Sequence, residues 1–395
     1  MRVLHTADWH IGHRFYNESQ DEEHKLFLDW LLKSIDEQNI DVLVVAGDIF
    51  DTGSPSSSSF KLYYDFLTQV QKTKCKYVVI SAGNHDSPSS LSAPSQLLSA
   101  LNVLVIGKSP ENIEEEVLRL KVEDKEILIA ATPYLRDQDI RKAVAGEHFD
   151  EMTQRYKTAL VNHYDKLYAY GKPLSNAPFM ALGHLFAIGG SVSDSEQNIY
   201  VGTLGHIGAD DFPDFDYIAL GHLHKPQLVG KKEHIRYSGS PVILSFSEVG
   251  YAKKVLITSF NEEALISVEE LEVPKFREVY TFKGDRTACL NAINSKQNSE
   301  LAPFVEVVLD EKNDGSKYPD LMEACEQKGM KLLKLVLNQE YQNNSLFEYS
   351  KKEVQELSLQ EVFEMKYKDA GGDETEYNKF LDMYQGVVTK IKETE

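Results

Sequence analysis

Residues 42–54 read VLVVAGDIFDTGS, a five-residue apolar run that stops at Gly47 and opens into Asp48, Ile49, Phe50 and Asp51. An apolar run of that length with no polar alternation predicts a strand covered on both faces, as in the parallel sheets of α/β proteins. A carboxylate just past the end of such a strand stands where loops converge on a site. Working outward, similar runs predict strands at residues 3–4, 77–80, 127–131, 179–182, 218–220, 235–237 and 255–258. Leu28, Leu31, Leu32 and Ile35 recur at helical spacing and predict a helix over residues 21–38, and residues 60–71 predict a second one. Strands alternating with helices make an α/β sandwich. Beyond about residue 270 the pattern changes to strand, helix, strand, helix, strand over residues 277–337, which predicts a small α+β unit.

The expected division is therefore 1–270, 271–340 and 341–395. In the last segment Ser358 with Glu361 has capping-box spacing ahead of Val362 and Phe363. Tyr377, Phe380, Leu381, Tyr384 and Val388 form an apolar stripe at helical spacing, which fits either packing on its own domain or a partner protein.

The chain of 395 residues carries 42 Lys and Arg against 62 Asp and Glu, a formal charge of -20. That balance argues against a free-standing nucleic-acid binder with a basic face. Three scattered cysteines, Cys75, Cys289 and Cys325, make neither a disulfide framework nor a thiolate zinc site, which points to a reducing, cytoplasmic setting. Polar residues by Thr6 rule out a signal-peptide core at the start, and no apolar run is long enough to span a membrane.

Chemistry-bearing motifs fall at strand ends: Asp8-Trp9-His10, Gly47-Asp48 to Asp51, Gly83-Asn84-His85-Asp86, Gly183-His184 and Gly221-His222-Leu223-His224. Each is weak alone, but the full set in this order is an improbable accident. The donors Asp8, His10, Asp48, Asn84, His184, His222 and His224 are oxygen and imidazole ligands with no thiolate among them. One tetrahedral ion needs four, so seven candidates imply two ions. Asp48, beside a glycine, is the candidate bridge, holding two ions about 3.5–4 Å apart where both contact one phosphate. His222 and His224, two apart on an extended segment, are expected to point the same way. Such a pair of ions fits phosphoester hydrolysis. His85 is then a candidate proton donor to the leaving oxygen with Asp86 as its orienting partner, or else a further ligand.

This set resembles the calcineurin-like metallophosphoesterase superfamily, whose D-x-H, G-D-x-x-D, G-N-H-[DE], G-H and G-H-x-H pattern is matched at every position. The resemblance implies a four-layer sandwich. It also implies one ion on Asp8, His10, Asp48 and His224, a second on Asp48, Asn84, His184 and His222, and His85 at the leaving group. Asp51 is expected to support the ligands without binding an ion.

Longer words narrow the resemblance. TADWHIG (6–12), AGDIFDTGSPSS (46–57), AGNHDSPSS (82–90), NIYVGTLG (198–205), DYIALGHLHKPQ (216–227) and RYSGSPVILSFSE (236–248) are similar to the SbcD family of nuclease subunits, and VPKF (273–276) continues the likeness more loosely. That family implies a Mn2+-dependent exonuclease and endonuclease acting on duplex DNA ends and hairpins in repair, recombination and replication. It implies a homodimer bound to SbcC, an SMC-like ATPase, with a small capping domain and C-terminal helices that dock on the ATPase. On that basis Val362, Phe363, Tyr377, Phe380, Leu381, Tyr384 and Val388 become candidate partner contacts. By position, His13, Arg14, Tyr16 and Ser54 are candidate DNA contacts, although the serine stretch reads equally well as a solvated loop. A stand-alone phosphodiesterase or phosphatase on a small substrate, or a structural anchor for the ATPase, are the competing readings. An acidic subunit is expected to grip DNA locally through its ions and to leave a basic groove to its partner.

Overall fold

A computed structural model describes residues 1–140, 149–187, 207–297, 299–310 and 318–337, with Tyr367, Tyr377, Phe380 and Leu381 beyond them. The chain divides into two compact units, Met1–Val279 and Tyr280–Glu395.

The first unit is built on two six-stranded sheets. In sheet one, β1 (Arg2–Thr6), β4 (Val42–Ala46), β5 (Tyr77–Ser81) and β6 (Val103–Ile106) run parallel. They are extended antiparallel by β13 (Lys254–Phe260) and β14 (Leu265–Glu272). Between β1 and β4 lie a two-residue hairpin, β2 (Arg14–Phe15) with β3 (Glu18–Ser19), and the helix α1 (Asp21–Glu37). Helix α2 (Ser57–Val70) follows β4, and the Ser56 hydroxyl caps it by accepting the Ser59 amide at 3.1 Å.

Sheet two has β8 (Lys125–Ala131), β9 (Phe179–His184), β10 (Tyr217–Gly221) and β12 (Lys232–Tyr237) in parallel. Antiparallel edges are supplied by β7 (Val117–Val122) and β11 (Gln227–Val229).

Alternation along each strand sorts the layers. Leu43 and Val45 turn to Phe27, Leu31, Tyr63 and Phe66 on the two helices. Val42 and Val44 turn instead to Ile127, Ile129, Met180 and Leu182 of the other sheet. Leu128, Ala130, Phe179 and Ala181 face Tyr156, Leu160, Tyr164 and Leu167 of the helix Phe149–Gly171. Helix, sheet, sheet and helix give the four-layer sandwich, and every residue of β4 is buried because both faces are covered.

The division falls at Val279 and not at residue 270, because β14 crosses 270 as the outer strand of sheet one. In the second unit, β15 (Val279–Gly284), β16 (Phe304–Leu309) and β17 (Lys331–Leu337) form a three-stranded sheet. The helices Arg286–Asn294 and Pro319–Gln327 lay Cys289, Ile293, Leu321 and Cys325 on that sheet. Of the expected stripe, Tyr377 and Phe380 are described: their rings meet Tyr367 at centroid distances of 5.5 and 5.6 Å. Leu381 is half-buried, while Val362, Phe363, Tyr384 and Val388 lie outside the described residues.

Candidate metal centre

The strands β1, β4 and β5 of one sheet and β9 and β10 of the other end side by side, and every expected donor sits at or just past one of those ends. The connecting backbone is forced into an unusual shape. Asp8, His10, Asp48 and His222 all have positive φ, at 52°, 48°, 49° and 102°, a region that costs a non-glycine residue of order 1–3 kcal/mol. Cross-loop bonds hold them there. The amides of Asp8 and His10 donate to the carbonyls of Gly47 and Asp48, both at 3.0 Å. The His222 amide donates to Asp8 Oδ1 at 2.8 Å, and the His85 amide to Asp48 Oδ1 at 2.9 Å. Gly47 is required by space as well as by its φ of +84°, because a Cβ there would stand 2.1 Å from His184 Nδ1.

Three groups of ligand atoms converge, one of them His10 with Asp51 and His85. Ligand atoms of Asp8, His10 and His224 lie within 4.8 Å of one another, as do those of Asp8, Asp48 and His184. His184 Nε2 stands 2.9 Å from Asn84 Oδ1 and 3.2 Å from Asp48 Oδ2, and His222 Nδ1 stands 3.1 Å from the same Asn84 oxygen. Asp8 Oδ2 and His10 Nε2 are buried with no hydrogen-bond partner, atoms that folding leaves aimed at something else. Imidazole and carboxylate donors without thiolate suit Mn2+, Fe2+ or Zn2+, so these residues fit divalent ions.

The electrostatics agree. Burial pushes the imidazoles of His10 and His222 down to about 4 and about 3, which leaves them neutral with lone pairs to share. Burial also drives Asp8 up to about 7. It works against the imidazolium of His184, yet the charges of Asp48 and Asp8 carry that ring to about 9. It would raise Asp48 too, but His184 and His10 hold its carboxyl well below the usual range. Without metal, protons therefore sit on Asp8 below about pH 7 and on His184 below about pH 9, and a divalent ion must displace them. Mn2+ affinity is expected to rise between pH 6 and 9, with proton release measured by calorimetry in buffers of different ionisation enthalpy; an affinity flat across that range would contradict the assignment.

Several expectations change. His222 and His224 do not lie on extended backbone: the positive φ of His222 turns the chain sharply, Leu223 points into the core, and the two rings take different partners, Asn84 and Glu248. Asp86 does not orient His85. Its buried carboxylate accepts the amides of Gly83, Ile49 and Phe50 at 2.8, 3.1 and 3.0 Å, and so ties the second and third motifs together. The orienting partner of His85 is the Asp51 carbonyl, which accepts from Nδ1 at 2.8 Å. Substituting Asp86→Ala leaves three amides unpaired, so stability should fall by about 4 kcal/mol; urea unfolding checks this, and a loss under about 1 kcal/mol would refute it.

The candidate DNA contacts also sort out. His13 is engaged at both nitrogens, 2.8 Å from Asp51 Oδ1 and 3.1 Å from the Leu244 carbonyl, so it braces Asp51. Asp51 in turn lies 3.2 Å from His10 Nδ1. Arg14 donates to the Asn17 carbonyl at the exposed hairpin, Tyr16 is 45% exposed against Phe15 and Phe246, and Ser54 is exposed. Sequence reasoning missed Glu248 and Lys253, both buried against His224. No spacing rule connects them to a histidine so far back in the chain.

The sequence profile of the calcineurin-like phosphoesterases matches residues 1–226. The SbcD component of the SbcCD nuclease of Escherichia coli K12 is 34% identical over 390 residues, 97% of this chain and 97% of that one. This chain belongs to the calcineurin-like phosphoesterase family, in its SbcD branch. The Bacillus subtilis protein of the same name is 36% identical over 266 residues, 65% of this chain and 66% of that one. The Rhodobacter capsulatus one is 34% identical over 263 residues, 64% of each. Membership gives the chain its chemistry, the hydrolysis of a phosphoester.

Proposed function

We propose that this chain is a metal-dependent DNA nuclease, cutting phosphodiester bonds at duplex ends and hairpins as the catalytic subunit of a complex with an SMC-like ATPase. The supporting observation is that the likeness to a nuclease subunit runs over 97% of both chains while imidazole and carboxylate side chains cluster at neighbouring strand ends. Two divalent ions there, Mn2+ by the resemblance, would lower the pKa of a water and neutralise charge on the phosphate. One would sit on Asp8, His10, Asp48 and His224, the other on Asp48, Asn84, His184 and His222.

The chain's own part is positional. The Asp51 carbonyl can only accept, so His85 Nδ1 carries a proton and Nε2 is left to exchange one with the leaving oxygen. The His85 amide on Asp48 Oδ1 fixes the proton donor relative to the bridging carboxylate. The segment after residue 340, including the stripe from Tyr377, is proposed to dock on the ATPase, with the nuclease subunit acting as a homodimer. Among the described residues no helix is long and apolar enough to cross a membrane.

The test is cleavage of linear duplex and hairpin DNA by the purified chain with its ATPase partner, Mn2+ and ATP. Strand scission that chelation abolishes is the expected result. Intact DNA alongside rapid turnover of a small phosphodiester would overturn the proposal.

A further inference from the structure

Lys253 and Glu248 form an ion pair, Nζ to Oε2 at 2.6 Å, with side-chain exposures of 6% and 0%. A buried pair of this kind adds little net stability, because desolvation offsets the attraction. Its geometric effect, by contrast, falls on one residue. The second oxygen of Glu248 lies 3.1 Å from His224 Nδ1, and Lys253 Nζ lies 3.4 Å from the His224 carbonyl. Ring and backbone of His224 are thus held by two ends of one salt bridge. The bridge is itself anchored: Lys253 donates to Ser240 Oγ at 2.7 Å, and Glu248 Oε2 accepts the Leu244 amide at 3.0 Å. Gly239 lets the backbone close over this point, since a Cβ there would stand 2.6 Å from the His224 carbonyl oxygen.

One of the other ion's two proposed histidines is backed differently. His184 Nδ1 donates to a neutral acceptor, the Ala46 carbonyl, at 2.9 Å. A carboxylate behind an imidazole fixes the tautomer and raises the basicity of the far nitrogen more than a carbonyl does. His224 and His184 therefore differ in the group that accepts from Nδ1.

We propose that Glu248 and Lys253 are positioning residues that hold His224 with Nδ1 protonated and Nε2 presented to the ion shared with Asp8 and His10, and so set the affinity of that ion selectively. The inference rests on the two-ion reading above.

Calorimetric titration of the full chain with Mn2+ tests it. The wild-type chain should take up two ions; uptake of fewer would refute the two-ion reading, and this proposal with it, before any variant is made. The double substitution Glu248→Gln with Lys253→Met leaves no buried charge unpaired. It should bind one Mn2+ as before and the other roughly 10- to 100-fold more weakly. In a His184→Asn background the same double substitution should weaken the remaining ion by a similar factor, and in a His10→Asn background it should change affinity by less than about threefold. Unchanged affinity for both ions, or equal weakening of both, would overturn the proposal. If the double variant lacks the native near-ultraviolet circular dichroism, Lys253→Arg decides, since it keeps the charge and displaces the donors: selective weakening supports the proposal and wild-type binding defeats it.

Discussion

Asp48→Ala should reduce Mn2+ uptake to one loosely held ion or none and bring DNA cleavage to background, a larger loss than at any other donor. Three observations carry the expectation. Asp48 Oδ2 lies 3.2 Å from His184 Nε2 and 3.6 Å from His10 Nε2, so one carboxylate touches a donor of each proposed ion. Its other oxygen receives the His85 amide, which ties the bridge to the proton donor. Removing it also takes one carboxylate out of the Asp8, Asp48 and His184 group, whose ligand atoms lie within 4.8 Å of one another. Asp48→Asn keeps the shape but not the charge, and should recover the fold without recovering uptake. Cleavage within tenfold of wild type in either variant would show that Asp48 does not bridge. Metal content per folded chain, beside the rate on linear duplex DNA, separates loss of ions from loss of chemistry.

His85→Ala is expected to behave in the opposite way. Both ions should bind as in the wild type while cleavage falls roughly 10²- to 10⁴-fold, the usual contribution of a positioned general acid. The geometry supports this split, because the ring of His85 is engaged through Nδ1 by a backbone carbonyl and not by another donor of the centre. The ring of His10 stands close by, with centroids 4.8 Å apart, so the void left by alanine borders a ligand. His85→Gln is therefore the cleaner variant. If His85→Gln loses an ion together with activity, the residue is a ligand and the acid must be sought elsewhere.

Much of this was legible because the sandwich writes its core strands plainly. Residues 42–46 could only be a strand covered on both faces, and the apolar runs at 127–131 and 179–182 repeat the pattern in the second sheet. The edges were not legible. Val117–Val122 alternates with Arg119 and Lys121, and Leu265–Glu272 carries Glu269, Glu270 and Glu272, residues rare in strands, because one flank of each sheet faces water. The helix Phe149–Gly171 escaped because its inward stripe uses Tyr156 and Tyr164 beside Leu160 and Leu167. At the centre, motif spacing found the donors but not what stands behind them. Asp86 and His13 were assigned by adjacency in the chain, whereas their carboxylate and ring serve loops more than thirty residues away. Hydrogen bonds of that range leave no periodic mark in a sequence.

The donors come from both sheets: Asp8, His10, Asp48 and Asn84 ride on one, His184, His222 and His224 on the other, and the layer between is apolar apart from polar contacts such as that of His5 Nδ1 with the Tyr217 hydroxyl at 3.0 Å. Hydrophobic burial is non-directional and does not by itself fix the register of one layer on the other to a fraction of an ångström. A slip of one residue would move the halves about 3.3 Å, whereas coordination tolerates about 0.2 Å. Bound ions would then act as dowels through the joint, pinning the two layers in alignment, and the seam would be looser in a cell short of metal.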